Sequence, residues 1–366
     1  MRVKFTKFPE EFKKIEKDLI KNFKRIGRKG EYILGKELLN FEKKIQKFLN
    51  VKHVLGVGNW TEGAVMVFKA LGIKNNNEVI TVSNSFIATC GAISYAGLKP
   101  VLVDISDDLN IDVNEIFKKI NKNTKAIMPV HLSGIPANLD KIRKICSKKN
   151  LLLIEDAAHA FGTKYKNKYL GTIGDVGIFS LHPRKNFHVF GDGGLIVTNN
   201  SKLYNKVKLI RNHGLVNRDS SIVWGTNSRL DNIQAGFGNV MLKKIKLWNK
   251  KQLFIAKKYI SSLKAYVEVP KYDEQISNPT FHQFIIKTQK RNQLKNYLKS
   301  FNIDTAIHYP VPIHLQKVFL KSYGRIKLPK TERYSKRILS LPINPHMRTL
   351  EVNYVIDKVI KFFKNK

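Results

Sequence analysis

Hydrophobic positions change rhythm along this chain. Over residues 10–23 they recur at helical spacing, and after a break at Gly35 they do so again through Leu38, Leu39, Phe41, Ile45, Phe48 and Leu49. From Val54 the rhythm shortens to β-like runs: Val54-Leu55, Val79-Ile80-Thr81-Val82, Val101-Leu102-Val103, Ala126-Ile127-Met128-Pro129 and Leu151-Leu152-Leu153-Ile154. Helical stretches that begin near Thr61, Ile87, Asn114 and Asn138 separate them. Strands alternating with helices predict an α/β fold, a mainly parallel sheet covered on both faces. Ligands of such sheets sit at the carboxyl ends of the strands, and Asp156 lies just past the run that ends at Ile154.

Further on, residues 201–211 read as a helix, and 231–266, free of proline, as a long connecting one. The character changes around Val269-Pro270. Residues 281–287 are strand-like, 292–300 helical and 350–363 a last helix, with rigid turns at Pro310-Val311-Pro312 and between Pro342 and Pro345. The expected division is a large domain over 1–250, with an N-terminal helical segment, and a smaller α+β domain over 251–366. A chain of 366 residues also exceeds one compact core.

Composition changes the picture in three places. The chain is 43% apolar and 26% charged, which is globular rather than disordered. The uncharged run 79–98 is long enough to raise a membrane question, but Thr81, Ser83, Asn84, Ser85, Gly91 and Gly97 fit a strand, a turn and a helix start. Residues 1–5 lack the apolar core of a signal peptide, and Cys90 and Cys146 form no CxxC pair, so a soluble cytoplasmic protein is expected. Lys+Arg 66 against Asp+Glu 28 gives a formal charge of +38. The lysines are scattered over every segment, which reads as compositional bias rather than the concentrated patch of a nucleic-acid binder.

The candidate chemistry lies in residues 154–198. Asp156 alone could cap a helix and Lys185 alone could be a surface lysine. Lys185, however, sits between Ser180, at the end of the apolar Ile178-Phe179, and the flexible turn Gly191-Asp192-Gly193-Gly194. Upstream, Asn59-Trp60-Thr61 lies between a strand and a helix, where free N–H groups suit a phosphate. A buried acid, a reactive lysine and a phosphate cradle are together what pyridoxal phosphate (PLP) requires.

The motifs Glu155-Asp156-Ala157-Ala158-His159, Gly174-Asp175-Val176-Gly177, Ser180, Lys185-Asn186 and Gly191-Asp192-Gly193-Gly194 resemble those of the DegT/DnrJ/StrS family of PLP-dependent nucleotide-sugar aminotransferases. Further matches run through Asn84-Ser85-Phe86-Ile87-Ala88-Thr89, Pro129-Val130-His131-Leu132-Ser133-Gly134, Gly225-Thr226-Asn227-Ser228-Arg229-Leu230 and His308-Tyr309-Pro310-Val311-Pro312-Ile313-His314. The resemblance implies a fold-type-I homodimer. In it Lys185 forms the Schiff base and moves the proton, Asp156 pairs with the pyridinium and His159 reaches the phenolic oxygen. Phe86 stacks on the ring, while Trp60, Thr61 and Ser180 lie at the phosphate, joined by Asn227 of the neighbouring subunit. Arg229, His308, Tyr309 and His314 fall on the substrate side. The implied reaction moves an amino group, from L-glutamate, to the 3-keto or 4-keto group of a nucleotide-linked deoxy sugar for amino-sugar and surface polysaccharide biosynthesis. His159 stands where the family more often has Gln, and Trp60 where it usually has a small residue. One branch of the family replaces the lysine by histidine and dehydrates; Lys185 is retained here, which favours transamination.

Two other classes are weaker. Gly56-Val57-Gly58 after a strand suggests a Rossmann oxidoreductase or epimerase of nucleotide sugars, but Thr61 occupies the last glycine position of GxGxxG. A regulatory or nucleic-acid-binding protein is motivated only by the +38. GxxxxGK[ST] does not occur, so a P-loop enzyme is unsupported.

Overall fold

A computed structural model describes residues 1–364. Its central sheet holds β1 His53–Val57, β2 Glu78–Val82, β3 Lys99–Val103, β4 Thr124–Ile127, β5 Leu152–Asp156, β6 Val176–Ser180 and β7 Gly194–Thr198. Their spatial order is β1-β7-β6-β5-β4-β2-β3, and β7 alone runs antiparallel to its neighbours. Period-two alternation splits the strands between two apolar layers. Val54, Leu153, Phe179 and Val197 enter one layer; Leu55, Ile154, Ile178 and Ile196 enter the other.

The first layer is completed by α1 Phe8–Lys29, α2 Lys36–Leu49, α6 Leu139–Lys149 and the first half of α8 Asn232–Leu263. The second is completed by α3 Trp60–Ala70, α4 Ala88–Tyr95 and α7 Ser201–Ile210; α5 Val113–Lys119 packs beside β3. The far half of α8 carries Ile255, Ala256, Tyr259 and Leu263 into a separate apolar cluster. There it meets the antiparallel pair β8 Phe284–Lys287 and β9 Ile338–Leu341, α9 Arg291–Ser300 and the last helix Thr349–Lys364. Val3 joins this cluster through a bridge to Ile303, so the N-terminus belongs to a core formed by the far end of the chain.

The predicted helices appear within a few residues of their expected starts. The first runs longer than residues 10–23, through Gly27, until Gly30 adopts φ 67° and ends it. Strand β8 starts at Phe284, not 281, because Phe281 is fully buried with φ 45°, outside strand geometry. Two short helices, α10 Lys317–Tyr323 and α11 Pro329–Ser335, follow the Pro-rich turn and had no helical signature in the pattern. The uncharged run 79–98 divides into β2, a turn and α4, and no helix among the described residues is long and apolar enough to cross a membrane.

One buried ion pair ties β1 to both layers. The Arg211 Nη1 at the end of α7 donates to Glu42 Oε1 on α2 (2.7 Å) and to the Gly56 carbonyl (2.8 Å), while the Gly56 N–H donates to the same carboxylate oxygen (2.8 Å). Arg211→Ala leaves that carboxylate buried without its cation. The expected loss of about 3–5 kcal/mol is read as a lower midpoint of urea unfolding.

Candidate active site

The carboxyl ends of β1, β5 and β6 open into a cavity of about 1280 Å³. Asp156, His159, Ser180, Lys185, Trp60, Thr61, Phe86, His308 and Tyr309 all line it, so the fold gathers most of the sequence-predicted residues at one place.

Asp156 ends β5, 3% exposed. The Ala158 N–H donates to its Oδ1 (3.1 Å) and the Thr89 hydroxyl to its Oδ2 (3.3 Å), with Ser85 Oγ 2.8 Å from Thr89 Oγ1. Burial pushes its carboxyl up to about 6, against the pull of the Ala158 N–H and the Lys185 charge. Lys185 lies in the turn after β6, its N–H donating to the His182 carbonyl (2.8 Å). Burial brings its amine down to about 8, and the Asp156 charge partly restores it. A buried acid and a half-buried amine thus share the cavity and act on each other through their charges, with the Ala158 N–H the first compensation for the acid.

His159 accepts the Ser133 N–H on Nδ1 (3.3 Å), which leaves the ring proton on Nε2. Burial, then the charges at Lys185, His282 and His308, hold its pKa well below the ordinary value, so the ring is a neutral donor. It therefore has an N–H to offer into the cavity, at a position where the family more often has Gln. The His282 ring packs 4.6 Å away. Phe86 is 57% exposed at the cavity wall, 6.1 Å from the Tyr309 ring, a large apolar face left for a planar partner.

At the head of α3, Asn59 Oδ1 accepts the Glu62 N–H (2.9 Å) and caps the helix. Gly194 on β7 permits this approach: a Cβ there would stand 2.8 Å from the Asn59 carbonyl carbon. The large side chain at position 60 turns away from the cradle. The Trp60 indole is buried in the layer below, its Nε1 donating to the Ile178 carbonyl (3.3 Å). Only the helix start at that position remains available to an anion.

Three residues lie outside this chain's cavity. His314 is fully buried between Ser83 Oγ (2.6 Å) and Glu332 Oε1 (3.3 Å), where it ties the Pro-rich turn to the sheet. Arg229 is held by Asn212 Oδ1 (2.8 Å), and Asn227 is exposed in the same turn. Ser228 between them accepts the Gly58 N–H (3.1 Å), which braces the turn behind the phosphate-side loop. Sequence reasoning passed over Thr89, His282 and the wall formed by Phe5, Thr6, Lys7, Phe8 and Glu11. Thr89 closes the motif Asn84-Ser85-Phe86-Ile87-Ala88-Thr89, one helical turn past Ser85, whereas residues 5–8 and Glu11 carry no signal in the hydrophobic pattern.

The DegT/DnrJ/EryC1/StrS aminotransferase family model matches residues 13–360. The chain belongs to that family. It is 33% identical to the dTDP-3-amino-3,4,6-trideoxy-alpha-D-glucose transaminase of Streptomyces venezuelae, covering 98% of this chain and 95% of the relative. It is 34% identical to the "pleiotropic regulatory protein" of Geobacillus stearothermophilus over the full length of both. The S. venezuelae DesV crystal structure in complex with a ketimine intermediate superposes with a TM-score of 0.96 at 33% identity, covering 99% of each chain. The fold is thus that of the fold-type-I PLP enzymes, the protein is an aminotransferase, and PLP is its cofactor. The Rossmann reading falls with that membership.

The residues present fit the cofactor: an amine, a buried carboxylate, a neutral N–H donor, an exposed aromatic face and a capped helix start share one cavity. An amine near 8 is uncharged in about one molecule in ten at pH 7, against fewer than about one in a thousand for an ordinary lysine. Labelling of Lys185 in cofactor-free protein by an aldehyde is therefore expected to rise about tenfold per pH unit below 8 and to level off above it. Mass spectrometry of the reduced adduct checks this.

Proposed function

We propose that the protein transfers an amino group from an amino acid, L-glutamate, to the keto group of a nucleotide-linked deoxy sugar. The observation that carries the reading is the placement of buried Asp156 and half-buried Lys185 in one cavity of a chain from this family. When bound, pyridoxal phosphate supplies the electron sink for the bonds at the substrate carbon. Asp156, desolvated and held by Ala158 and Thr89, keeps a proton on the ring nitrogen. His159 donates its Nε2–H to the phenolic oxygen, Phe86 covers the ring face, and Ser180, Thr61 and the head of α3 receive the phosphate. Lys185, with its lowered pKa, accepts a proton at the substrate carbon and returns it, the task for which a pKa near neutrality is best matched. Tyr309 and His308 wall the substrate side; burial keeps the His308 ring neutral, lowered to about 4.

The active form is a homodimer in which Asn227 reaches the partner's phosphate site. In support, Ile222, Val223 and Trp224, just before that turn, are all exposed, and Trp224 has no cover at all. Such a contiguous apolar patch marks an interaction surface. The full set of cavity residues favours turnover over a purely regulatory role; the reading extends to amino-sugar formation for surface polysaccharides, in the cytoplasm.

Lys185→Ala is expected to retain cofactor but to lose turnover by about a thousandfold or more; normal amino-transfer rates would sink the assignment. A panel of nucleotide-linked 3-keto and 4-keto sugars with L-glutamate, followed by 2-oxoglutarate release, tests the substrate class. Activity on free keto sugars alone would overturn it. For the shared site, mixing inactive Lys185→Ala with inactive Asn227→Ala subunits should restore about a quarter of the parent activity, because one intact site forms in each mixed dimer. Mixtures that stay inactive contradict the sharing.

A further inference from the structure

Among groups without a role above, the densest titratable cluster at the cavity joins α1 to the turn that carries Lys185. Glu11, in the first turn of α1, places Oε1 2.9 Å from His188 Nε2. The other ring nitrogen, His188 Nδ1, donates to the Lys185 carbonyl oxygen (3.1 Å). Both partners of this ring are oxygens that only accept, one facing each ring nitrogen, so the ring bridges the Glu11 carboxylate and the Lys185 backbone. The second oxygen, Glu11 Oε2, accepts from His346 Nε2 (3.1 Å). His346 Nδ1 in turn faces the ammonium of Lys14 (3.0 Å), a donor, which places a proton on Nε2, towards Glu11. One carboxylate thus receives two ring N–H groups from different parts of the chain.

The surroundings make this a fixed arrangement. The edge of the Trp248 ring meets His346 at 5.1 Å, and Phe8 and Phe190 meet His188 at 6.1 and 6.2 Å. Burial works against ionisation of Glu11, but the hydrogen bonds from His188 and His346 prevail and hold its carboxyl down to about 2. On its far side the lysine turn is anchored separately: Asn186 Nδ2 donates to the Phe161 carbonyl (2.8 Å) and Phe187 stacks on Phe161 at 4.0 Å. Between these anchors the turn is neither helix nor strand, and His182 and Arg184 are exposed.

We propose that Glu11 is a positioning residue for the reaction: by clamping His188 against the Lys185 carbonyl, it fixes the turn from which the Lys185 amine projects. This rests on the reading of Lys185 as the proton-moving amine. Misplacing such a group by about an ångström is enough to slow turnover by orders of magnitude. The clamp also couples the lysine to the substrate side, because Phe5, Thr6, Lys7 and Phe8, which lead into the same helix turn, wall the cavity.

Two variants of the full chain, Glu11→Ala and Glu11→Gln, test it with two readouts. In cofactor-free protein, Glu11→Ala is expected to speed amide hydrogen exchange at residues 185–189 about tenfold, while β5 and the middle of α8 exchange as in the parent. In the loaded enzyme, kcat with glutamate is expected to fall about tenfold or more with KM changed less than twofold. Glutamine keeps an oxygen for the His188 ring and should recover part of both. Exchange and kcat equal to the parent's overturn the clamp. So does exchange that rises evenly over the whole chain, which would mark Glu11 as a packing residue only. The exchange readout needs neither cofactor nor substrate, so a normal rate in Lys185→Ala would defeat the functional reading while leaving this result interpretable.

Discussion

Successive side chains on a strand point to opposite faces, and at the end of β5 that rule separates Glu155 from Asp156. Glu155 turns inward, fully buried, where a carboxylate is tolerable only with its lone pairs filled. The N–H groups of Gly171 (2.8 Å), Ile173 (2.7 Å) and Gly174 (2.7 Å) fill them, with His131 Nε2 at 3.0 Å. These bonds fold the loop before β6 against β5. The backbones come so close that a Cβ on Gly177 would lie 2.1 Å from the Gly171 oxygen. With β6 held there, Ser180 and the Lys185 turn end beside Asp156, whose side chain has the other face to itself. One acid builds the wall, and its neighbour works in the room.

How far the sequence could be read follows from how local each cause is. The apolar rhythm, the helix starts and the placement of Asp156 and Lys185 depend on neighbours within a few residues, and the pattern carried them. The direction of β7 did not show, because a short apolar run reads the same in either sense. Trp60 looked like a disturbance of the phosphate cradle; only the position of β6 reveals that the indole has a carbonyl waiting at Ile178. His314 looked like a substrate ligand, yet its ring is enclosed by Ser83 and Glu332, from distant segments. The Glu11–His346 contact spans 335 positions, beyond any periodicity.

The excess of basic residues gives the buried acids particular weight. With 28 carboxylates against 66 basic side chains, the acids that enter the interior each hold together elements remote in sequence. Glu42 joins α2, β1 and α7. Asp104, just after β3, takes the N–H groups of Lys330 and Thr331 (both 2.8 Å) and the Thr331 hydroxyl (2.7 Å), which seats α11 on the sheet. The lysines, by contrast, are mostly left in water, where their number alters the outer field and little of the architecture.

The buried pair of Lys7 with Glu351, 2.7 Å apart across 344 positions, also has a meaning in time. On a ribosome, residue 7 emerges long before its partner exists. The sheet, with Asp156 and Lys185, can form while the segment before α1 still hangs free. The wall of residues 5–8 is completed by contacts with Asp304, His308 and the last helix, all of which leave the ribosome late. That wall is thus held from both ends of the chain, so the enclosure of the cavity depends on segments that leave the ribosome first and last.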